Sequence, residues 1–112
     1  MKVIIVEPLK APYVKDIDPS LESMQKIVGG TIQAIYPFDD PEIALICNDD
    51  GKLMHLFPNR GLLDEEGYLC DIICGTFFLC AAPSGAENFA GLNEKQIRTY
   101  KKRFKRLELH LG

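Results

Sequence analysis

The stretch "YLCDIICGTFFLCA", residues 68–81, decides the fold. It is dominated by bulky, β-branched and aromatic side chains and has a single glycine, Gly75, near its middle. A strand in a globular protein usually runs about 5–6 residues, so this segment is too long and too bulky to be one flat strand. A glycine inside a strand pattern marks a bulge or a close approach of another part of the chain. Two arrangements follow: one strand interrupted at Gly75, or two short strands meeting there.

Upstream, "KVIIVE" (2–7) is a β-branched run that ends at Pro8 and reads as a central strand buried on both faces. "PYVKDI" (12–17) alternates and starts with a proline, as a shorter or edge strand does. "DPSLESMQKIVGG" (18–30) carries a set of helix signals: Asp18 as N-cap, Pro19 at the first helical position, Leu21, Met24 and Val28 on one face, and Gly29 as the stop. "TIQAIYPF" (31–38) and "EIALIC" (42–47) read as strands, and "NDDG" (48–51) as a tight turn. "KLMHLF" (52–57) then reads as the second arm of a hairpin, ended by Pro58, with "NRGLLDEEG" (59–67) as a loop.

Downstream, the period becomes helical. Ile97, Tyr100, Phe104, Leu107 and Leu111 recur at spacings of three and four, and Asn93 with Gln96 forms a capping-box pattern. Arg98, Lys101, Lys102, Lys105 and Arg106 fall on the opposite face. The order β-β-α-β-β-β-β-α predicts an α+β fold: one domain over residues 1–112, a mostly antiparallel mixed sheet, and two helices over one face.

Length and composition bound the class. The chain of 112 residues is enough for one real core and too short for two. With 46% apolar and 26% charged residues it lacks the low hydrophobicity of a disordered chain. The longest apolar run, "IICGTFFLCAAP" (72–83), falls short of the roughly 20 residues that span a bilayer. The start has neither the apolar core nor the cleavage site of a signal peptide. Cys47, Cys70, Cys74 and Cys80 all sit in hydrophobic segments, as buried free thiols of a reducing compartment do. A cytoplasmic protein without membrane attachment or disulfides is expected.

Charge is unevenly laid out. Residues 1–92 carry 14 acidic and 6 basic side chains, whereas residues 93–112 carry 2 acidic and 7 basic. The basic helix could follow a phosphate backbone, but the acidic body would repel one, so a nucleic-acid role is disfavoured against an acidic protein partner or internal charge balance.

Each candidate for chemistry has a plain structural alternative. Zinc wants Cys or His ligands in short paired spacings. Cys70, Cys74, Cys80 and His55 contain no such pair and read as core and strand residues. A cysteine nucleophile would need His55 or His110 as its base. "VGG" and "CGTFF" match neither a dinucleotide fingerprint nor a P-loop. Asp39 and Asp40, with Asp71 or Glu42, could hold a divalent cation, but Asp-Asp-Pro reads first as a turn whose side chains bond nearby amides. No cofactor is implied.

Arg60 is the only Lys or Arg between Lys52 and Lys95. Beside Asn59 it suits forked recognition of a phosphate or carboxylate, or it ties its own acidic loop through Asp64, Glu66 or Asp71. A small anionic, nucleotide-like ligand would be met by Asn59, Arg60 and the backbone around Gly75 and Thr76, with Tyr36 or Phe38 as a stacking surface.

"QKIVGG" (25–30), "YPFDD" (36–40), the pair Asn59-Arg60 and "GTFF" (75–78), in this order and spacing, resemble a family of short uncharacterised domains. Its members occur in phages, prophages and conjugative elements of Firmicutes and related bacteria. The likeness runs from Lys2 to about Phe104, and the chain departs from the family's small residues at Gly61 and Cys74. The resemblance brings a biological setting but no role for any residue. It implies a cytoplasmic accessory protein of a mobile element. The leading expectation is a non-enzymatic protein that binds a host protein or a small anionic ligand as an anti-defence or takeover factor. A homodimer or interaction domain built on the basic helix, and a metal-dependent hydrolase built on Asp39, Asp40 and Asp71, are the alternative classes.

Overall fold

The structure is a computed structural model that describes residues 1–106. Leu107, His110 and Leu111 lie outside the described residues. Seven strands and two helices follow in the order β1 (Lys2–Val6), β2 (Tyr13–Asp16), α1 (Leu21–Val28), β3 (Ile32–Ile35), β4 (Ile43–Asn48), β5 (Pro58–Leu63), β6 (Leu69–Cys74), β7 (Phe77–Ala81) and α2 (Glu94–Arg103). This is the α+β class that the sequence predicts. Every pairing is antiparallel.

Five strands form the main sheet in the order β2-β1-β7-β4-β3, and β5 and β6 form a separate two-stranded ribbon. Residues 68–81 are therefore two strands in two different sheets, with Gly75 at the corner. Its φ of +82° is one that side chains rarely adopt, and a Cβ there would stand 2.7 Å from Leu56 Cδ1. The Gly75 N–H donates to the Phe57 carbonyl at 2.8 Å, which ties the corner to the approach of β5.

Alternation along the strands divides the core in two. Ile4, Val6, Leu45, Phe77 and Leu79 face α2, where they meet Leu92, Tyr100 and Phe104. Val3, Ile5, Ile46, Phe78 and Cys80 face α1 and meet Met24 and Val28. The helices thus cover opposite faces of the sheet, not one face as the sequence led us to expect. β1, β4 and β7 are buried on both sides, so each needs a cover on each side. The ribbon shares the α2 face, to which it contributes Leu62 and Ile73.

Several boundaries move for local reasons. The N-cap of α1 is Ser20, whose Oγ accepts from Ser23 N at 3.2 Å. Asp18 instead accepts from Ser20 N at 3.1 Å and shapes the turn before the helix. Gly29 is the stop, at φ 79°, with its N–H on the Gln25 carbonyl. The capping box of α2 is present, with Asn93 and Gln96 bonded to each other's backbone N–H at 2.8 and 2.9 Å. Lys105 and Arg106 lie beyond the helix end and do not extend its basic face.

The expected hairpin arm at 52–57 is not a strand. Both edges of β4 are taken, by β3 and β7, so no place is left for an arm turning back after it. The segment coils instead: Met54 N bonds to Asp50 O at 2.8 Å and Leu56 N to Gly51 O at 3.0 Å, and His55 takes a φ of 55°. The strand falls one step later, on "PNRGLL", which the sequence reading gave to a loop. Cys47 and Cys80 are buried and Cys74 is half-buried, but Cys70 is exposed, against the expectation of four buried thiols. Its sulfur lies 3.2 Å from the Leu62 carbonyl.

Candidate functional site

Arg60 and Asn59 form the most concentrated polar cluster in the interior, 3% and 1% exposed respectively. Consecutive strand residues normally point to opposite faces. A register shift between Pro58 and Arg60 marks a bulge, and the bulge lets both side chains turn inward.

Guanidinium carries five N–H donors in a fixed fork, and here each has an acceptor. Nε and Nη2 both reach the Phe104 carbonyl at 3.3 Å. Nη2 also donates to the Lys10 carbonyl at 2.8 Å. Nη1 donates to the Asn59 carbonyl at 3.2 Å and to Asn59 Oδ1 at 2.8 Å. The Asn59 amide nitrogen in turn donates to the carbonyls of Val6 at 2.8 Å and Gly75 at 2.9 Å. Two side chains therefore join the end of β1, the β1–β2 loop, the Gly75 corner and the C-cap of α2.

The Phe104 carbonyl is one of those that a helix end leaves without an intrahelical partner, and a cation there also opposes the negative end of the helix dipole. Leu9 adopts a φ of 60°, beside Lys10, to whose carbonyl Arg60 donates. Burial pulls the Arg60 pKa below its ordinary value, and the group stays charged at neutral pH.

The internal tie expected for Arg60 exists, but not through Asp64, Glu66 or Asp71. Asp71 pairs with Lys52 at 2.6 Å. Asp64 Oδ1 accepts from the N–H groups of Glu66 and Tyr68, both at 2.9 Å, and closes the ribbon's turn. Carbonyl oxygens replace the carboxylates because Arg60 meets the β1–β2 loop and the C-cap of α2, while Asp64 is used in the ribbon's own turn and Asp71 is held by Lys52.

The residues expected to meet an anion are only partly gathered. Asn59, Arg60 and Gly75 are together. Thr76 faces the other side of the sheet, in a cleft of about 560 Å³ that it shares with Tyr13, Lys15 and Lys26. Phe38 is buried, its ring 4.8 Å from that of Tyr100 and 6.0 Å from that of Phe104, with the Arg103 guanidinium 4.8 Å over it. Tyr36 is 53% exposed, in a groove beside β3. Arg60 does line a cleft of about 490 Å³ with Leu63, Asp64, Glu65, Arg103 and Arg106, but its donors point away to carbonyls.

The carboxylates weighed for a metal are also spread out. Asp40 Oδ1 accepts from Glu42 N at 2.9 Å, the turn geometry that Asp-Asp-Pro favours. Asp71 belongs to Lys52. Among the described residues no three His, Cys, Asp or Glu side chains are grouped to hold a metal ion. Asn48, read only as part of a turn, is 5% exposed; it donates to Val28 O at 3.1 Å and accepts from Asp50 N at 2.8 Å. It joins the end of α1 to β4, and its signal in sequence was an amide closing a run of buried apolar residues.

The model of a family described as a domain of unknown function (DUF3846) matches residues 1–105. The chain belongs to this family. Neither a curated protein nor a solved structure matches it. The family domain covers both helices and both sheets, including the cluster of Asn59 and Arg60. No described helix is long and apolar enough to cross a membrane.

Proposed function

We propose that this chain is a small non-enzymatic binding protein that acts by engaging another protein. The mobile-element setting, with a host protein as target and an anti-defence or takeover role, rests on the resemblance of its motifs. The observation that favours a protein partner over a small anion is the use of Arg60. All five of its N–H groups are spent inside the fold, so an anion would have to displace carbonyl partners to gain them. Large apolar side chains meanwhile stand in water: Leu53 is 79% exposed, Tyr68 68% and Phe57 60%. Where such groups gather into a contiguous patch they mark a contact surface.

A thermal-shift panel of nucleotides, cyclic nucleotides and inorganic phosphate tests the choice. A ligand at about 100 times its Kd stabilises by about 2.7 kcal/mol, a shift of several degrees in a domain of this size. No shift is expected. A shift that Arg103→Ser together with Arg106→Ser removes would replace the protein-partner reading with a small-anion one.

A second reading uses α2. Arg98, Lys101 and Lys102 are exposed, and none forms an ion pair among the described residues, which suits an acidic partner or a second copy. Light scattering at rising concentration separates monomer from dimer.

A further inference from the structure

The main sheet has two open edges, and they differ. On β2, Pro12 leads into a strand that carries Lys15 and Asp16, both exposed, and such residues guard an edge against further pairing. β3, "IQAI", carries no charge and no proline. It pairs with β4 on one side only.

The direction of its free backbone groups follows from one bond. Asp49 N donates to Thr31 O at 2.9 Å, in line with the register that pairs Ile32 with Asn48 and Gln33 with Cys47. Bonded and non-bonded pairs alternate in an antiparallel ladder. Gln33 and Ile35 therefore point their N–H and C=O groups at β4, and Ile32 and Ala34 turn theirs outward.

Beside this edge, on the α1 face, lies a groove of about 710 Å³. Ile32 and Tyr36 line it from the β3 side, Leu21 and Met24 from α1, and Phe89 from the segment after β7. Leu21 and Tyr36 are more than half exposed. Outward backbone groups next to a groove with several apolar side chains in its wall are the two parts of recognition by strand addition, in which the main chain supplies affinity and alternate side chains enter pockets.

The charge around the edge selects the occupant. The groove's one charged lining residue is Glu87, Asp49 is bonded at one end of β3, and Asp39 and Asp40 follow the other end. Lys52, the nearby cation past β4, is already paired with Asp71, and Arg103 sits over Phe38 on the α2 face. A second copy paired through β3 would set these carboxylates against their own duplicates. A peptide with Lys or Arg flanking its apolar residues would neutralise them.

We propose that the open edge of β3 takes up an extended, basic-flanked apolar segment of a partner protein as an added strand, with alternate apolar side chains in the groove of Ile32, Tyr36, Leu21 and Phe89. This rests on the protein-binding reading above and names the partner's chemistry.

Selection from a displayed library of short random peptides tests it, followed by titration of the synthetic winners. Enriched peptides alternate apolar residues between Lys or Arg, and their binding weakens with salt. Ala34→Pro removes an outward N–H while leaving the β4 ladder intact, and binding falls at least about tenfold; Ala34→Val keeps the N–H and binds within about threefold. Should Ala34→Pro fail to fold, winning peptides N-methylated at alternate residues give the same loss on the wild type. Winners that ignore both backbone blocks sink the edge while leaving protein binding in place. A selection with no enrichment, or a wild-type dimer that Ala34→Pro dissolves, also overturns the proposal. A nucleotide-induced thermal shift overturns the underlying reading instead.

Discussion

Replacing Arg60 with methionine isolates what the buried fork contributes. Methionine keeps an unbranched stem of similar reach and removes all five donors, so the carbonyls of Lys10 and Phe104 and the Asn59 oxygens lose their partner. Hydrogen bonds from a charged group contribute about 1.5–3 kcal/mol each, net of the water they replace. Counting only the two short bonds, at 2.8 Å to Lys10 O and Asn59 Oδ1, gives a loss of about 3–6 kcal/mol. Methionine does not need to be stripped of charge hydration, which offsets part of that; a net loss of about 3–4 kcal/mol is expected.

Against a typical domain stability of about 5–15 kcal/mol this leaves a folded but weakened protein. With a urea slope of about 1–3 kcal/mol/M, the unfolding midpoint followed by circular dichroism falls by roughly 2 M. Arg60→Lys keeps the charge but not the fork and falls between the two. A loss under about 1 kcal/mol for Arg60→Met would falsify the structural assignment and return the guanidinium to the candidates for ligand binding.

Four further outcomes are expected. Asn59→Asp turns two donors into acceptors facing the Val6 and Gly75 carbonyls, and costs about 2–4 kcal/mol in the same assay; a neutral result would contradict the described orientation of the amide. Leu9→Gly relieves a left-handed backbone at a side chain that is 63% exposed, so a gain of about 1 kcal/mol is expected, read as a higher Tm. With a disulfide reagent on the native protein, Cys70 reacts first, whereas Cys80, its thiol pushed up to about 12 by burial, reacts only on unfolding; peptide mapping decides it. Finally, the hydrogen bond from Lys52 lowers the Asp71 carboxyl below 3.8, so the pair stabilises above that value and the benefit is lost as pH falls through the folded pKa. The Lys52 pKa is raised above 10.5, chiefly by the hydrogen bond to Asp71, so the benefit is also lost as pH rises beyond it. Lys52→Met should fall slightly below the wild type at neutral pH, and the difference should shrink as acid protonates Asp71.

The residues by themselves determined the class, the element order, the capping box of α2, the stop of α1 and most strands. Runs such as "KVIIV" and "IALIC" can satisfy their backbone and bury their branched side chains only inside a sheet. Asn93 with Gln96, and Gly29, end their helices through contacts a few residues away, and local contacts are legible in a linear sequence. Gly75 announced a corner for the same reason.

What only the tertiary structure decided depends on partners far along the chain. β5 was hidden because its Pro58, Asn59 and Gly61 are turn-forming residues; its ladder with β6 and its burial over α2 outweigh that preference. The hairpin arm at 52–57 was ruled out by β7, which occupies the edge of β4 from more than thirty residues downstream. Arg60 was legible as important, and a structural tie was one of its two readings, but its partners were not legible. Its acceptors at Lys10 and Phe104 stand 50 and 44 residues away, and carbonyl oxygens, which every residue has, leave no mark in the sequence.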